Sequence, residues 1–593
     1  VTDGRSGFSG VIVSAEGAVL TAGHAIEPGR RYKIRLADGR VFSGKGVGLS
    51  ERIDCALIQI TDKGTWPFAE MGHSADLVEN QPCIGISHPG RYTQKRGAMV
   101  RFGRIASPVL NKNGMFQSTC LMEPGDSGGP LFDLQGRVIG IHSRIDWSLL
   151  HNYEVPIDTF RACWDQLQKP KRFRAGDNFS GIPELGLSTR RGRDRRSVVV
   201  TTVKEGSLAE KSGLKVGQTI RKLGKMSIRS PEQLYEQYLY QTLRRPKGLD
   251  LSVDRESGRT KTVQIHLPAS EAEETPAVVK GGNKDPQKPT AIAELADLPQ
   301  QFTDLESSLD DSIVTIRSKI EGETKRALGV RILGNQYLLS KNSLVGDNPS
   351  LTLSDTTTLK GKVVYRSRTD DLVLISASFT NSEGIVLNDL STALPLPPKG
   401  TLLLTPDPSG DGKVSVLGSN RFTSPLSQSR ARMGVSLTEK EGAILLEVLE
   451  DGPAEAAGLK TGDQVLRIDK KKFSRTQEMI NYIGTKYPFD TITAVVSRDG
   501  QKETVSVKLG FTPEPPSRHV ADRFKGGKSL RRDGFSTVVC HDGAIESANC
   551  GSPVFDLSGN FVGLNIARHS RARTYFIPQN TLYRFYTEAI SQN

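Results

Sequence analysis

Apolar and polar residues alternate in short runs through most of the chain, the period of half-buried strands rather than of helices. The run GVIVSAEGAVLTAGHAI, Gly10 to Ile26, predicts two strands around a turn. A second run, GVRILGNQYLLSKNSLV, Gly329 to Val345, places apolar and polar residues at the same positions without a gap. The likeness continues downstream. Asp54-Cys55-Ala56-Leu57-Ile58 matches Asp371-Leu372-Val373-Leu374-Ile375, and EPGDSGGPLFDLQGRVIGI from Glu123 matches ESANCGSPVFDLSGNFVGL, Glu546 to Leu564. Tyr153-Glu154-Val155-Pro156 likewise finds Tyr575-Phe576-Ile577-Pro578. Such repetition predicts two β domains of one architecture in a single chain. The second copy begins with a β-branched strand, SIVTIRSKI (Ser312 to Ile320), whereas only VTDGRSGFS precedes Gly10. The opening strand of the first copy is therefore expected to be missing.

A different repeat separates and interrupts these copies. EGSLAEKSGLKVGQTIRKLGKMSI (Glu205 to Ile228) and DGPAEAAGLKTGDQVLRIDKKKF (Asp451 to Phe473) share a short helix-compatible stretch, then Gly-Leu-Lys-x-Gly, then an apolar strand. The second of these modules intrudes on its host. VSVLGSNRFTSP (Val414 to Pro425) resembles VRFGRIASP (Val100 to Pro108), yet the matching next strand resumes only at Phe535. Insertion of a small domain is tolerated where its ends lie close together. Linkers are expected at Lys169 to Asn178, at Ala269 to Pro299 and at Phe511 to Lys528, the last two proline-bearing and polar.

The candidate chemistry sits in the first copy. In EPGDSGGPLF, Glu123 to Phe132, Ser127 is flanked by small residues that let the backbone turn tightly and aim N–H groups at an oxyanion. His24 in VLTAGHAI and Asp54 in RIDCALIQI precede it in the order His, Asp, Ser, the chymotrypsin order. Alone, His24 would be read as structural and Asp54 as a turn residue; their weight comes from standing together with the serine motif. GFSGVIVSAEGAVLTAGHAI, IDCALIQI and GDSGGPLFDLQGRVIGI resemble the protease domain of the HtrA/Deg family. The module carrying Gly-Leu-Lys-x-Gly resembles a PDZ domain.

These resemblances imply a mainly β fold of two chymotrypsin-like double β-barrels plus two PDZ-like αβ domains. The implied divisions are a protease domain over 1–168, a PDZ-like domain over 179–268, a linker over 269–300, a degenerate protease-like domain over 301–428 and 511–593, and an inserted PDZ-like domain over 429–510. Ser127 would be the nucleophile, His24 the general base and Asp54 its orienting carboxylate. The N–H groups of Gly125 and Ser127 would form the oxyanion hole. Ser143, Arg144 and Ile145 would pair with substrate backbone, and Met122 and Ile145 would line the specificity pocket. Leu121 falls where an acidic pocket base would stand, which disfavours cleavage after Lys or Arg. Asp126 stands where HtrA relatives commonly carry Asn or Ser. The PDZ carboxylate loops would fall on Leu185-Gly186-Leu187 and Met433-Gly434-Val435, with helices flanking the grooves predicted over Ser230 to Leu239 and Arg475 to Ile483; a PDZ fold whose groove takes no peptide stays open. In the second barrel the histidine position is Ser343 and the serine position Cys550, while Asp371 remains. A thiolate at Cys550 would need a base or a lowered pKa that Ser343 does not supply.

Composition narrows the class further. At 593 residues the chain is too long for one core. Its charge of +13 gathers in Arg190-Arg191-Gly192-Arg193-Asp194-Arg195-Arg196 and Lys169-Pro170-Lys171-Arg172. Solvated loops account for such clusters; an anionic envelope surface or acidic substrate is the sharper reading, and specific nucleic-acid binding is not expected because no aromatic residues interleave the charge. Six cysteines with no CxxC pair exclude a disulfide-dense scaffold and a zinc site, and leave one disulfide open. The other histidines form no spaced cluster, so no metal or other cofactor is expected. Protein substrates, peptide C-termini at the PDZ grooves and a homo-oligomer are the implied partners, and a periplasmic or secreted location follows from the family resemblance alone. The chain opens on Val1, so upstream residues are expected. The competing class is a peptide-binding scaffold with a latent protease site.

Overall fold

A computed structural model describes residues 1–51, 53–90, 92–111, 113–173, 181–182, 185–242, 248–254, 259–267, 298–334, 336–380, 384–387, 395–410, 412–440, 442–513, 517 and 519–592. The protein is mainly β, with 42% strand and 14% helix. It divides into two compact units, Val1–Ala296 and Asp297–Asn593.

In the first unit, a six-stranded sheet runs Val11–Ile12, Ala18–Ala22, Cys55–Ile60, Val41–Ser50, Arg172–Phe173, with Arg31–Arg35 also paired to Val41–Ser50. Leu20 and Leu57 pack on one face of the sheet and Ile58 on the other, all fully or almost fully buried. Pro82–Ser87, Met99–Ser107, Phe116–Ser118, Pro130–Phe132, Val138–Ile145 and Asn152–Pro156 close into a barrel. Arg172–Phe173 falls inside a segment expected to be a linker. It pairs in parallel with Leu49 and Ser50, and Arg172 bonds Glu27 and Glu51, so ion pairing and strand addition override the proline signal. Residues 174–178 of that linker lie outside the described residues.

A separate sheet with its own core follows, from Gly181–Ile182 to Thr260–His266. Its helix spans Pro231–Thr242, close to the predicted bounds, and Ser230 Oγ accepts from the Gln233 N–H as an N-terminal cap.

In the second unit, Ile313–Ile320 stands between Glu323–Arg331 and Ser350–Thr352 in a seven-stranded sheet. The first unit has no corresponding strand among its described residues. A second seven-stranded sheet brings Leu402–Thr405, Lys413–Val416 and Phe422–Ser424 together with Phe535–His541, Pro553–Asp556, Phe561–Ser570 and Arg573–Pro578. The two parts of the interrupted module thus share one sheet. Between them, Val435–Lys440 to Gln501–Lys508 form a five-stranded sheet over a core that includes Met433, Leu446, Ile468, Met479 and Val507. Ala431 pairs with Phe511 and Arg432 with Gly510, so this guest enters and leaves at one point. Its helix is Thr476–Ile483. The expected linker over 269–300 lies outside the described residues up to 297; its last residues instead begin the helix Leu298–Leu309.

Candidate active site

Three separate stretches of the first unit converge. His24 sits in a 3-10 turn, Gly23–Ala25, directly after the strand Ala18–Ala22. Asp54 precedes Cys55–Ile60 in the left-handed region, at φ 57°, and is buried. Its main-chain oxygen accepts from the Gly23 N–H at 2.9 Å, and its carboxylate accepts from the His24 N–H at 2.8 Å. His24 Nδ1 lies 2.9 Å from Asp54 Oδ2, and Nε2 lies 3.0 Å from Ser127 Oγ. The Ser143 hydroxyl donates to the same Asp54 Oδ2. Burial by itself would raise the Asp54 carboxyl. The His24 hydrogen bond and charge, with Ser143, outweigh it and hold the group below the ordinary aspartate value.

The loop around Ser127 needs its glycines. Gly125 takes φ 99° and Gly128 φ 84°, conformations that side chains rarely adopt. A Cβ on Gly125 would meet the Gly90 nitrogen at 2.6 Å, and one on Gly128 would meet Thr21 Oγ1 at 2.0 Å. Among the described residues, no hydrogen-bond acceptor takes the N–H of Gly125 or of Ser127.

Two residues that motif reading passed over hold this loop. Ser9 donates its N–H to Ser127 O at 2.9 Å and its hydroxyl to Gly125 O at 2.8 Å, which fixes the peptide planes on both sides. Arg101, wholly buried, places Nη1 3.0 Å from Asp126 Oδ2. The Ser87 hydroxyl and the Glu123 N–H also donate to Asp126, at 2.7 and 2.8 Å. An aspartate at this position is therefore a fully bonded internal anion. The available signal was Arg101's register: it shares the inward face of Met99–Ser107 with Met99, Gly103 and Ile105.

Of the other anticipated positions, Met122 is buried with its N–H on Asn152 Oδ1, Ile145 is half-buried and Arg144 exposed. Arg144 and Ile145 pair with Tyr153 and Asn152 beyond a bulge. Gly186 and Gly434 both take positive φ, 68° and 80°, and their carbonyls accept from Lys204 and Leu449 N–H in matching fashion. Leu185, Leu187 and Met433 are buried and Val435 half-buried.

The place in the second unit that matches these residues in sequence keeps a similar backbone turn and carries different side chains. Asp371 has φ 56°, and its carboxylate accepts from the Ser343 N–H and hydroxyl at 2.7 and 2.9 Å. Lys341, which matches Ala22, fills the region instead. Its Nζ donates to Asp371 Oδ2, Arg531 O and Ile566 O at 2.6, 2.9 and 2.6 Å. Sequence reasoning left Asp371 with nothing to orient; in the structure it holds Ser343 and neutralises this buried lysine. The position matching Gly125 holds Ala548, which cannot adopt φ near 99° without strain, and residues Ser547–Asn549 form a 3-10 turn in which the Cys550 N–H turns onto Ser547 O at 3.4 Å. Leu328 replaces Ser9 and has no hydroxyl to hold the loop. Burial pushes the Cys550 thiol up, away from a thiolate. A cavity of about 300 Å³ beside this place is lined by Lys319, Arg366, Arg368, Lys508, Arg531 and Ser343 among others.

Comparison with known proteins agrees with this geometry. Residues 8–141 match the family model described as "Trypsin-like peptidase domain", and residues 431–509 match "PDZ domain". The chain carries a trypsin-like peptidase domain over residues 8–141 and a PDZ domain over residues 431–509. The chain is 32% identical over 272 residues to a "Probable periplasmic serine endoprotease DegP-like" of Marinomonas sp., covering 44% of this chain and 56% of that one. It is 29% identical over 248 residues to a "Putative serine protease HhoB" of Synechocystis sp., covering 38% and 59%. The chain thus spans a little over half the length of these curated relatives. A solved structure titled "HtrA-type protease AlgW with decapeptide" covers 44% of this chain and 81% of its own at 23% identity and a TM-score of 0.29, a distant likeness. The peptidase-domain match contains His24, Asp54 and Ser127, and the PDZ match contains Met433, Gly434 and Val435.

Proposed function

We propose that this chain is an HtrA/Deg-type serine endopeptidase that cleaves unfolded or exposed protein segments in the periplasm. The observation that carries the reading is the unbroken line from Asp54 through His24 to Ser127 Oγ, beside two unused backbone donors. Ser127 Oγ attacks the scissile carbonyl while His24 Nε2 takes its proton, later delivering it to the leaving amine. Asp54 holds the proton on Nδ1 and stabilises the imidazolium. The N–H groups of Gly125 and Ser127 receive the oxyanion, with Ser9 keeping the intervening peptides in place. Met122 and Ile145 present an apolar pocket, and with Leu121 rather than an acid at its base the preferred residue before the cut is aliphatic.

The arrangement of the rest follows from the same reading. The module over 179–268 and the inserted module over 429–510 are PDZ domains that take extended peptide ends. The parts over 301–428 and 511–593 are one degenerate, non-catalytic double barrel. The name of the Marinomonas relative supports the periplasmic location.

Hydrolysis of a reduced, unfolded protein tests the activity. Ser127→Ala and His24→Ala each lose about 10⁴-fold or more in kcat, while Cys550→Ala retains the wild-type rate. Equal activity in wild type and Ser127→Ala would refute the assignment.

A further inference from the structure

The cleft of the second barrel is occupied by the chain itself. Residues 526–534, which lead from the inserted domain back to Phe535–His541, run across the buried Cys550. The Ser529 N–H donates to Arg568 O at 2.9 Å, and the Arg568 N–H returns a bond to Ser529 Oγ at 3.0 Å. Arg568 is the counterpart of Ile145, on the strand read as the substrate-pairing edge of the first barrel. Ser529 Oγ also stands 3.5 Å from Cys550 Sγ. Three more backbone carbonyls of the segment are held by the barrel: Gly526 O by the Ser547 N–H at 3.1 Å, Arg531 O by Lys341 Nζ at 2.9 Å, and Arg532 O by His569 Nδ1 at 2.9 Å. Ser529, Arg531, Arg532 and Asp533 are buried, unlike the residues of a solvated connector; Leu530 alone among 529–533 points outward.

The other edge of the segment faces the residues that lead into the inserted domain. The Arg532 N–H donates to Ser429 Oγ at 2.9 Å. The Asp533 carboxylate accepts from the N–H groups of Ser427, Gln428 and Ser429 and from the Ser427 hydroxyl. The segment bends at Leu530, Arg531 and Asp533 and is held through both its backbone and its buried side chains.

We propose that the cleft of the second barrel is a peptide-binding groove whose ligand is the chain's own segment 526–534, which anchors the returning end of the inserted domain. Lys341 is part of the groove: with the imidazole position given to Ser343, its ammonium pairs with Asp371 and clamps a carbonyl of the segment. The groove holds this segment without attacking it, because no thiolate and no open oxyanion hole face it. The inference rests on reading the second unit as a degenerate copy of the first. It does not depend on Ser127 being active.

Alkylation of Cys550 by iodoacetamide, located by peptide mass spectrometry in the full chain, tests it. Replacing residues 526–532 with a Gly/Ser stretch of the same length should raise the Cys550 rate about tenfold or more, with Cys540 as slow as in the wild type. A synthetic peptide of residues 524–534 should then restore protection in the replaced chain and leave the wild type unchanged. Equal Cys550 rates in the two chains, or no protection by the peptide while Cys540 stays protected, would overturn the proposal. If Cys540 is also exposed by the replacement, hydrogen exchange on the wild type decides. The Ser529 amide should exchange about 100-fold or more slowly than in the free peptide, and exchange at the free rate would overturn it. None of these readouts requires proteolysis, so a failed groove and a failed peptidase are distinguishable.

Discussion

At the scale of single residues, the candidate site is held by groups that never touch a substrate. Arg101 and Asp126 form a buried pair beneath the nucleophile loop. Removing one partner strands the other charge, so Arg101→Met is expected to cost about 3–5 kcal/mol in urea unfolding of the first unit. Arg101→Met with Asp126→Asn should cost less than the sum of the single changes; strict additivity would show that the pair is not coupled. Ser9→Ala removes one hydroxyl and leaves the N–H bond to Ser127 O in place. Its expected effect is a fall in kcat of about tenfold or more with KM unchanged, because what it disturbs is the aim of an oxyanion donor. A change confined to KM would contradict that role. The triad was legible in the sequence because three motifs carry it in a fixed order. Ser9 and Arg101 were not, because their partners lie far along the chain and only the fold brings them near.

Elements explain why one copy keeps its site and the other does not. In both, a strand, a 3-10 turn and a left-handed aspartate set the same corner. The difference falls in the serine loop, where the left-handed Gly125 of one copy is replaced by Ala548 and a 3-10 turn in the other. That loss can be read from the aligned strings only once φ at Gly125 is known. The strand Phe535–His541 carries a further mark of a buried polar interior. His541 accepts from the Gly543 N–H on Nδ1 and places Nε2 2.7 Å from Asn565 Oδ1. Burial pushes its pKa down from 6.5 to about 4. A histidine lowered on folding stabilises fully above its unfolded value, and that contribution is lost as pH falls from about 6.5 toward 4, where the unfolded chain binds the proton and the folded chain does not. Chemical unfolding of the second unit should therefore weaken by about 3 kcal/mol from this group across that window. In His541→Asn the slope of stability against pH should be shallower by about one proton, and an unchanged slope would contradict the assignment.

Over the whole molecule, repetition in the sequence predicts the order of parts, and the structure departs from the expected linkers at two points. The inserted module was visible because residues 414–425 resemble a strand whose successor is delayed to Phe535, and the pairing of Ala431 with Phe511 gives the physical reason the insertion is tolerated. The strand Arg172–Phe173 and the helix from Leu298 were missed because tertiary pairing and amphipathic packing override local linker composition. Since the guest has its own core and adjacent ends, residues 429–513 expressed alone should show a single cooperative thermal transition by circular dichroism. A broad, non-cooperative melt would mean that the guest depends on its host.

The most direct measurement is the mapping of a serine-directed phosphonate on the intact chain. One adduct is expected, on the peptide containing Ser127, abolished by Ser127→Ala and by His24→Ala and unaffected by Cys550→Ala. An adduct that persists in Ser127→Ala, or a folded wild-type chain that takes none with unfolded substrate present, would contradict the account.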